Sequence, residues 1–246
     1  MAADLRWVDS ARSTNSLLAR DVSALPHGAV VAARRQTAGR GQRGNSWESE
    51  PDANLTFSML LRPSVIAAAA QFELSMVVAL SVCDSLAEAS AMEFKVKWPN
   101  DIYCGDKKIC GILIENSLEG RHIARSIVGI GINVNQRRFI SDAPNPVSLV
   151  NLTGHTFDLG CLLVDVCDRL LSRLAAYEAS PDPCRLVGEY RARLWRGTDF
   201  HRWLDAASGE IFEAAVDDVA VTGMLTLTGR DGCRRTYAFK EVAAVL

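Results

Sequence analysis

Apolar and polar positions along this chain fall into two periods, and the period changes near residue 197. Alternating or short apolar runs predict strands near 29–34, 55–61, 94–98, 102–105, 108–115 and 126–133. Apolar residues at helical spacing predict a long helix over about 67–89, with Phe72, Met76, Val77, Leu80 and Cys83 on one face. A second helix fits 158–178, where Leu159, Leu162, Leu163, Val166, Leu170 and Leu174 recur. A third fits about 184–196 and ends before Gly197. Ser13-Thr14-Asn15 offers N-cap side chains to a short helix carrying Leu17, Leu18 and Val22. From Thr198 the pattern is short strands at 201–204, 210–217, 219–227 and 234–239, turning at Ser208-Gly209 and Asp231-Gly232, which suggests a small barrel. The expected division is 1–197 and 198–246.

Composition adds little but excludes some classes. The 246 residues are 48% hydrophobic with a net charge of −2, enough for one sizeable core and a smaller one. The start Met1-Ala2-Ala3-Asp4 has no secretory pattern, and Gln71, Glu73 and Asp84 interrupt the most apolar stretch, so a cytoplasmic protein off the membrane is expected. Seven scattered cysteines without a CxxC pair read as reduced packing residues. His27, His122, His155 and His201 lie far apart and read as structural or exposed, so no fixed metal ligand is expected.

Two motifs carry chemistry. In QTAGRGQRGNSW, Gly39, Gly41 and Gly44 match GxGxxG, and a strand precedes them. No helix follows: Asn45-Ser46-Trp47-Glu48-Ser49-Glu50-Pro51 is a run of turn formers, so this is a long basic loop and not a dinucleotide turn. Arg34, Arg35, Arg40 and Arg43 suit either a solvated surface or a clamp for phosphate and carboxylate oxygens. The second motif is KWPNDIYCGDKKICGILIE, from Lys97 to Glu115. Gly105-Asp106 marks a hairpin tip, which puts Lys107 and Lys108 at the start of the return strand. Alternation sends these lysines to opposite faces, and spacing alone does not say which enters a cleft.

The pair of motifs resembles the biotin–protein ligases. Ser13-Thr14-Asn15, the segment from Asn54 to Ser58, and Gly129-Ile130-Gly131-Ile132-Asn133-Val134-Asn135 fall in the order expected of that family. The resemblance spans roughly residues 8 to 160. It implies an α/β (α+β) fold with a central mixed sheet flanked by helices and a C-terminal SH3-like barrel. The implied activity joins biotin to ATP as biotinyl-5′-AMP, with Mg2+, and transfers biotin to a lysine of a biotin carboxyl carrier domain. Lys108, Arg40 and Asp101 are then the reacting-centre residues. Ser13, Thr14, Asn15, Gln36, Gly39, Arg40, Gly41, Gln42, Lys108 and Gly111 would hold biotin, beside the Gly129–Ile132 strand. Arg40, Arg43, Trp47, Asn54, Lys97, Asn100 and Asn133 would hold ATP. Trp98, Pro99 and Ile102 read as packing and turn residues, and Lys107 as solvated.

Bifunctional relatives carry an N-terminal DNA-binding unit. Only twelve residues precede Ser13, so a monofunctional ligase without a nucleic-acid partner is expected, and the choice between monomer and homodimer is left open. One position departs from the pattern, since the best-known bifunctional member reads GRGRRG where this chain has Gln42. A related lipoate ligase or octanoyltransferase is the alternative, and the latter needs a cysteine nucleophile. A nucleic-acid binder is disfavoured by Glu48, Glu50 and Asp52 directly after the arginines.

Overall fold

The computed structural model describes residues 4–42, 46–140 and 145–245. Its centre is a sheet of seven strands: β1 (Asp4–Ala11), β2 (Ala29–Gln36), β3 (Leu55–Leu61), β4 (Lys95–Lys97), β5 (Asp101–Cys104), β6 (Lys107–Glu119) and β7 (His122–Ile132). They lie in the order β1-β2-β3-β7-β6-β5-β4. β1 is parallel to β2 and every other pair is antiparallel, so the sheet is mixed.

The two faces differ because side chains alternate. On β3, Leu55, Phe57, Met59 and Leu61 enter the main core, while Thr56, Ser58 and Leu60 point the other way. β7 repeats the pattern, sending Val128, Ile130 and Ile132 into the core and leaving Gly129 and Gly131 on the opposite face. Three helices cover the core side: α2 (Phe72–Ser90), α4 (Leu159–Ala179) and α5 (Pro183–Ala192). The first of these is buried almost all round, since it lies between the sheet and the other two. Asp158 caps α4 by accepting from Cys161 N (2.7 Å), and Asp182 caps α5 by accepting from Arg185 N (3.0 Å). On the other face the short α1 (Thr14–Arg20) packs against β2, β3 and β7. A further short helix, α3 (Leu149–Thr153), follows the sheet.

The C-terminal part is a second, antiparallel sheet of β8 (His201–Asp205), β9 (Ile211–Val219), β10 (Leu225–Gly229), β11 (Arg234–Tyr237) and β12 (Val242–Ala244), ordered β11-β10-β9-β8-β12. Its edges β11 and β12 are not joined to each other, so the sheet is open among the described residues. It shares the main core through Trp203, Leu225, Leu227 and Val242. Hydrogen bonds fasten it too: Phe72 N donates to Val221 O (3.3 Å), and the Trp98 indole Nε1 donates to Gly223 O (3.1 Å).

Several sequence expectations need correction. Strand β1 is not among the expected strands: it mixes apolar and polar residues on a sheet edge and none of its side chains is fully buried; α3 and β12 are each too short to show a period. The long helix is preceded by a 3₁₀ turn at Ala68–Ala70 and begins only at Phe72. The third helix ends at Ala192. Residues 193–196 leave it to pair with β4: Val96 N donates to Arg193 O (2.7 Å) and Trp195 N to Val96 O (2.8 Å). The expected strand 219–227 is broken by a turn at Gly223 (φ 89°). Ser13 stands at the N-cap position of α1, but its side chain makes no cap bond.

Candidate active site

Register builds the site. Reading across the sheet, Lys97 pairs with Asp101, Asp101 with Gly111, Gly111 with Gly131, and Gly131 with Thr56. The next row brings Leu113, Gly129 and Ser58 together. Partners in a row project from the same face, so a charged end, a glycine floor and a hydroxyl end share one surface. A cavity of about 480 Å³ lies over it, lined also by α1, the glycine loop, residues 194–195 and the C-terminal sheet.

The glycines are required by what lies on them. A Cβ on Gly131 would sit 2.4 Å from Trp47 Cε2, and one on Gly111 3.0 Å from Cζ3, so the Trp47 ring rests directly on backbone. A Cβ on Gly129 would lie 2.2 Å from Asn15 Oδ1. The loop itself closes like a hairpin, with Trp47 N donating to Gly39 O (3.0 Å) and a bridge between Arg40 and Ser46. Arg43 lies outside the described residues.

At the hydroxyl end, Thr14 N donates to Gln36 Oε1 (2.8 Å), and Ser58 Oγ lies 2.7 Å from Thr14 Oγ1 and 2.6 Å from Asn15 Oδ1. Asn15 Nδ2 donates to Glu115 Oε2 (2.7 Å), and Arg40 Nη2 reaches the same oxygen (3.0 Å). Thr14, Asn15 and Ser58 are buried, so this end is a set of neutral donors and acceptors closed on one side by the Arg40–Glu115 ion pair.

At the charged end a β-bulge decides which lysine enters. Counting back from Gly111, strict alternation would put Ile109 and Lys107 on the cavity face. The ladder instead passes from Ile102–Cys110 to Tyr103–Lys108, leaving Ile109 as an extra, buried residue. The shift brings Lys108 to the cavity face and leaves Lys107 exposed. Lys108 Nζ lies 2.7 Å from Asp101 Oδ1 and 5.8 Å from the Trp47 ring centre. Lys97 Nζ donates to Tyr103 Oη (3.0 Å). Burial lowers the Lys97 pKa, opposed by Asp101 and reinforced by Lys108 and Arg196.

Among the sequence candidates, Ser13, Thr14, Asn15, Gln36, Arg40, Gly41, Gln42, Trp47, Lys97, Asn100, Asp101, Lys108 and Gly111 all line the cavity. Gly39 supports the loop from behind, through its bond to Trp47. Asn54 and Asn133 do not reach the cavity lining. Asn54 donates to Gln136 Oε1 (2.5 Å) and accepts from Val134 N (2.8 Å), while Asn133 donates to Val147 O (3.1 Å); both are buried tethers of the chain after β7. Asn100 Nδ2 is engaged by Ile112 O (2.7 Å). Trp98 and Pro99, read as packing and turn residues, also line the cavity. Sequence reasoning missed Ser58 and Glu115, although Glu115 closes the second motif, and it missed Tyr103, Trp195 and the C-terminal lining residues. Alternation from Gly111 would have pointed to Glu115.

None of the seven thiols lines the cavity. Cys110 is fully buried, and burial raises its pKa well above the ordinary thiol range; burial also raises that of Cys104. Cys161, Cys184 and Cys233 are exposed and free. A thiol-selective alkylating agent is expected to label these three first in the native protein without lowering activity. Early loss of activity tracking modification of Cys104 or Cys110, followed by peptide mapping, would contradict this. No group of three His, Cys, Asp or Glu side chains forms a metal site among the described residues, and no helix among them is long and apolar enough to cross a membrane.

Residues 7–133 match the family model described as biotin/lipoate A/B protein ligase family. A biotin–[acetyl-CoA-carboxylase] ligase of Paracoccus denitrificans is 35% identical over 231 residues, covering 89% of this chain and 92% of that protein. The bifunctional ligase/repressor BirA of Bacillus subtilis is 29% identical over 228 residues, 87% of this chain but only 65% of that protein's length. The solved structure of a biotin protein ligase from Aquifex aeolicus in complex with biotin and ATP is 27% identical, covers 99% of each chain and superposes with a TM-score of 0.79.

Proposed function

The chain belongs to the biotin/lipoate A/B protein ligase family, and from that premise we propose that it is a biotin–protein ligase acting through biotinyl-5′-AMP. The observation that carries this is the row across the sheet, which sets hydroxyl and amide groups, with the Arg40–Glu115 pair beside them, at one end of a glycine-floored cavity and the Lys108 and Lys97 cations at the other. From Thr56 to Lys97 the row crosses four strand intervals, about 19 Å, a length suited to an extended two-part ligand.

The chemistry sets the requirements. A carboxylate oxygen of biotin attacks the α-phosphorus of ATP, the bond to the β-phosphate oxygen breaks, and pyrophosphate leaves with the electron pair. Two anions about 4 Å apart repel by about 4 kcal/mol at an effective dielectric of 20. Fixed cations offset that repulsion at no reorganisation cost, and Lys108 and Arg40 are the two assigned to it, with Arg43 at the triphosphate. Ser13, Thr14, Asn15 and Gln36 receive the ureido head, whose neutral, strongly dipolar groups match their neutral donors and acceptors. Gly111, Gly129 and Gly131 let Trp47 and Asn15 lie against the sheet, and the fused rings and the valeryl chain run beside that wall. Trp47, Lys97 and Asn100 serve the nucleotide. In the second half-reaction the acceptor lysine nitrogen attacks the mixed-anhydride carbonyl, loses a proton and displaces AMP, with Asp101 orienting the amine. The acceptor proposed is a biotin carboxyl carrier domain. Magnesium would arrive on the nucleotide's phosphates, its usual mode. A cytoplasmic enzyme, divided at residue 197 and ending in an SH3-like barrel, completes the proposal.

Lipoate and octanoate lack a ureido group, and either would leave the Thr14–Asn15–Gln36 network facing apolar atoms, a costly mismatch. ATP–pyrophosphate exchange is therefore expected with biotin and at least about 10²-fold weaker with either competitor. Equal exchange with lipoate would overturn the assignment. At Gln42, which lines the cavity, arginine is expected to slow biotinyl-AMP dissociation several-fold by adding charge beside a phosphate; an unchanged or faster off-rate in Gln42→Arg would rule that out.

A further inference from the structure

The geometry points to Trp195 as a positioning residue that holds Lys97 toward the leaving pyrophosphate end of the nucleotide, an inference that rests on the ligase assignment. Lys97 is the cavity-lining cation beyond Asp101 in the cross-sheet row, on the side away from the glycine floor and Thr56. Lysine is a flexible, strongly hydrated point charge, and a mobile ammonium would bind a departing polyanion poorly.

Here Lys97 is caged. Its Nζ lies 4.8 Å from the Tyr103 ring centre and 5.2 Å from that of Trp195, and the two rings are 5.2 Å apart. Both distances fall within cation–π range. The Tyr103 hydroxyl that accepts from Lys97 lies 3.4 Å from Asn145 Oδ1, which completes a chain of polar contacts.

Trp195 is itself fixed on several sides. Its backbone N–H bonds to Val96 O, next in sequence to Lys97, so the post-helix segment extends the sheet edge and delivers the indole to its place. Indole Nε1 donates to Asp106 Oδ1 (3.1 Å), in the β5–β6 turn. The Arg196 guanidinium lies 4.2 Å from the indole centre and donates to Val245 O (2.7 Å). Arg196 is held at φ 53°, a conformation that a non-glycine residue adopts only when its surroundings fix it. The charged groups acting on Lys97 are Asp101, Lys108 and Arg196, so two of the three repel it and a polyphosphate would relieve that repulsion. Trp195 lies beyond the residues 7–133 matched by the family model, and neither sequence motif contains it.

The test measures KM for ATP, KM for biotin and product inhibition by inorganic pyrophosphate in Trp195→Leu, Trp195→Phe, Lys97→Met and the Trp195→Leu/Lys97→Met double variant. Trp195→Leu is expected to raise both KM for ATP and Ki for pyrophosphate roughly tenfold and leave KM for biotin within about twofold. Trp195→Phe should recover most of the loss, and the double variant should be no worse than Lys97→Met alone. Unchanged ATP and pyrophosphate constants, an equal rise for biotin, or additive losses would each overturn the inference. Should Trp195→Leu fail to fold, Asp106→Ala frees the indole without removing it; pyrophosphate Ki should then rise about threefold, and no change would count against the clamp. Absence of adenylate formation by wild type would instead overturn the ligase assignment itself.

Discussion

Lys108→Ala is expected to lower adenylate formation by about 10²–10³-fold, the usual effect of removing one well-placed donor to developing charge. The reasons are local. The Lys108 ammonium is half-buried, ion-paired to Asp101 at 2.7 Å and set beside the Trp47 ring, so it is held in the cavity before any anion arrives. Its replacement leaves the Asp101 carboxylate without that counter-ion and adds a second source of repulsion to the two reacting anions. Pre-steady-state formation of biotinyl-AMP checks this, alongside biotin affinity by calorimetry. The rate should collapse while biotin affinity falls much less, because the ureido contacts lie at the other end of the cavity. An affinity loss as large as the rate loss would place Lys108 in uniform binding instead.

Gly129→Ala should abolish the biotin end of the site. The added methyl would stand 2.2 Å from Asn15 Oδ1 and 2.9 Å from its Cγ, a separation no Cβ tolerates. Asn15 is buried and linked to both Ser58 and Glu115, so it cannot swing aside without breaking those bonds. Overpacking of this kind costs about 1–3 kcal/mol, and the displaced network loses its geometry toward the ureido head. We expect biotin affinity to fall at least about 10²-fold with a modest drop in thermal stability. Normal biotin binding by a folded Gly129→Ala protein would contradict the assignment of Thr14, Asn15 and Gln36.

How far the sequence discloses this arrangement depends on what each feature rests upon. Buried alternation at Leu55–Leu61 and the helical period at 158–178 appear as expected, because both follow from one element's own residues. The choice of Lys108 rests on the resemblance and not on periodicity: alternation counted back from Gly111 points to Lys107, and the bulge at Ile109 is what brings Lys108 to the cavity. A bulge is a property of two paired strands, so a single strand's residues do not announce it. Asn54 and Asn133 show the converse failure. Both are amides at the ends of cavity-bearing strands, yet their partners Gln136 and Val147 lie in the segment that follows β7, and tertiary contacts turn them inward. The pattern over 184–196 predicts a helix that includes Trp195, but the edge of β4 overrides it by offering its Val96 backbone groups. Asn15, Gln36, Arg40 and Asp101 enter through the resemblance of the two motifs to the family, and all four line the cavity.

The most direct test incubates the purified protein with biotin, ATP and magnesium, without acceptor, and identifies the small molecules by mass spectrometry. The account predicts about one equivalent of biotinyl-5′-AMP per protein, with pyrophosphate, since the mixed anhydride is made before any acceptor is engaged. ADP and phosphate in its place, or no nucleotide product at all, would contradict the convergence of Lys108 and Arg40 on a carboxylate attacking the α-phosphorus.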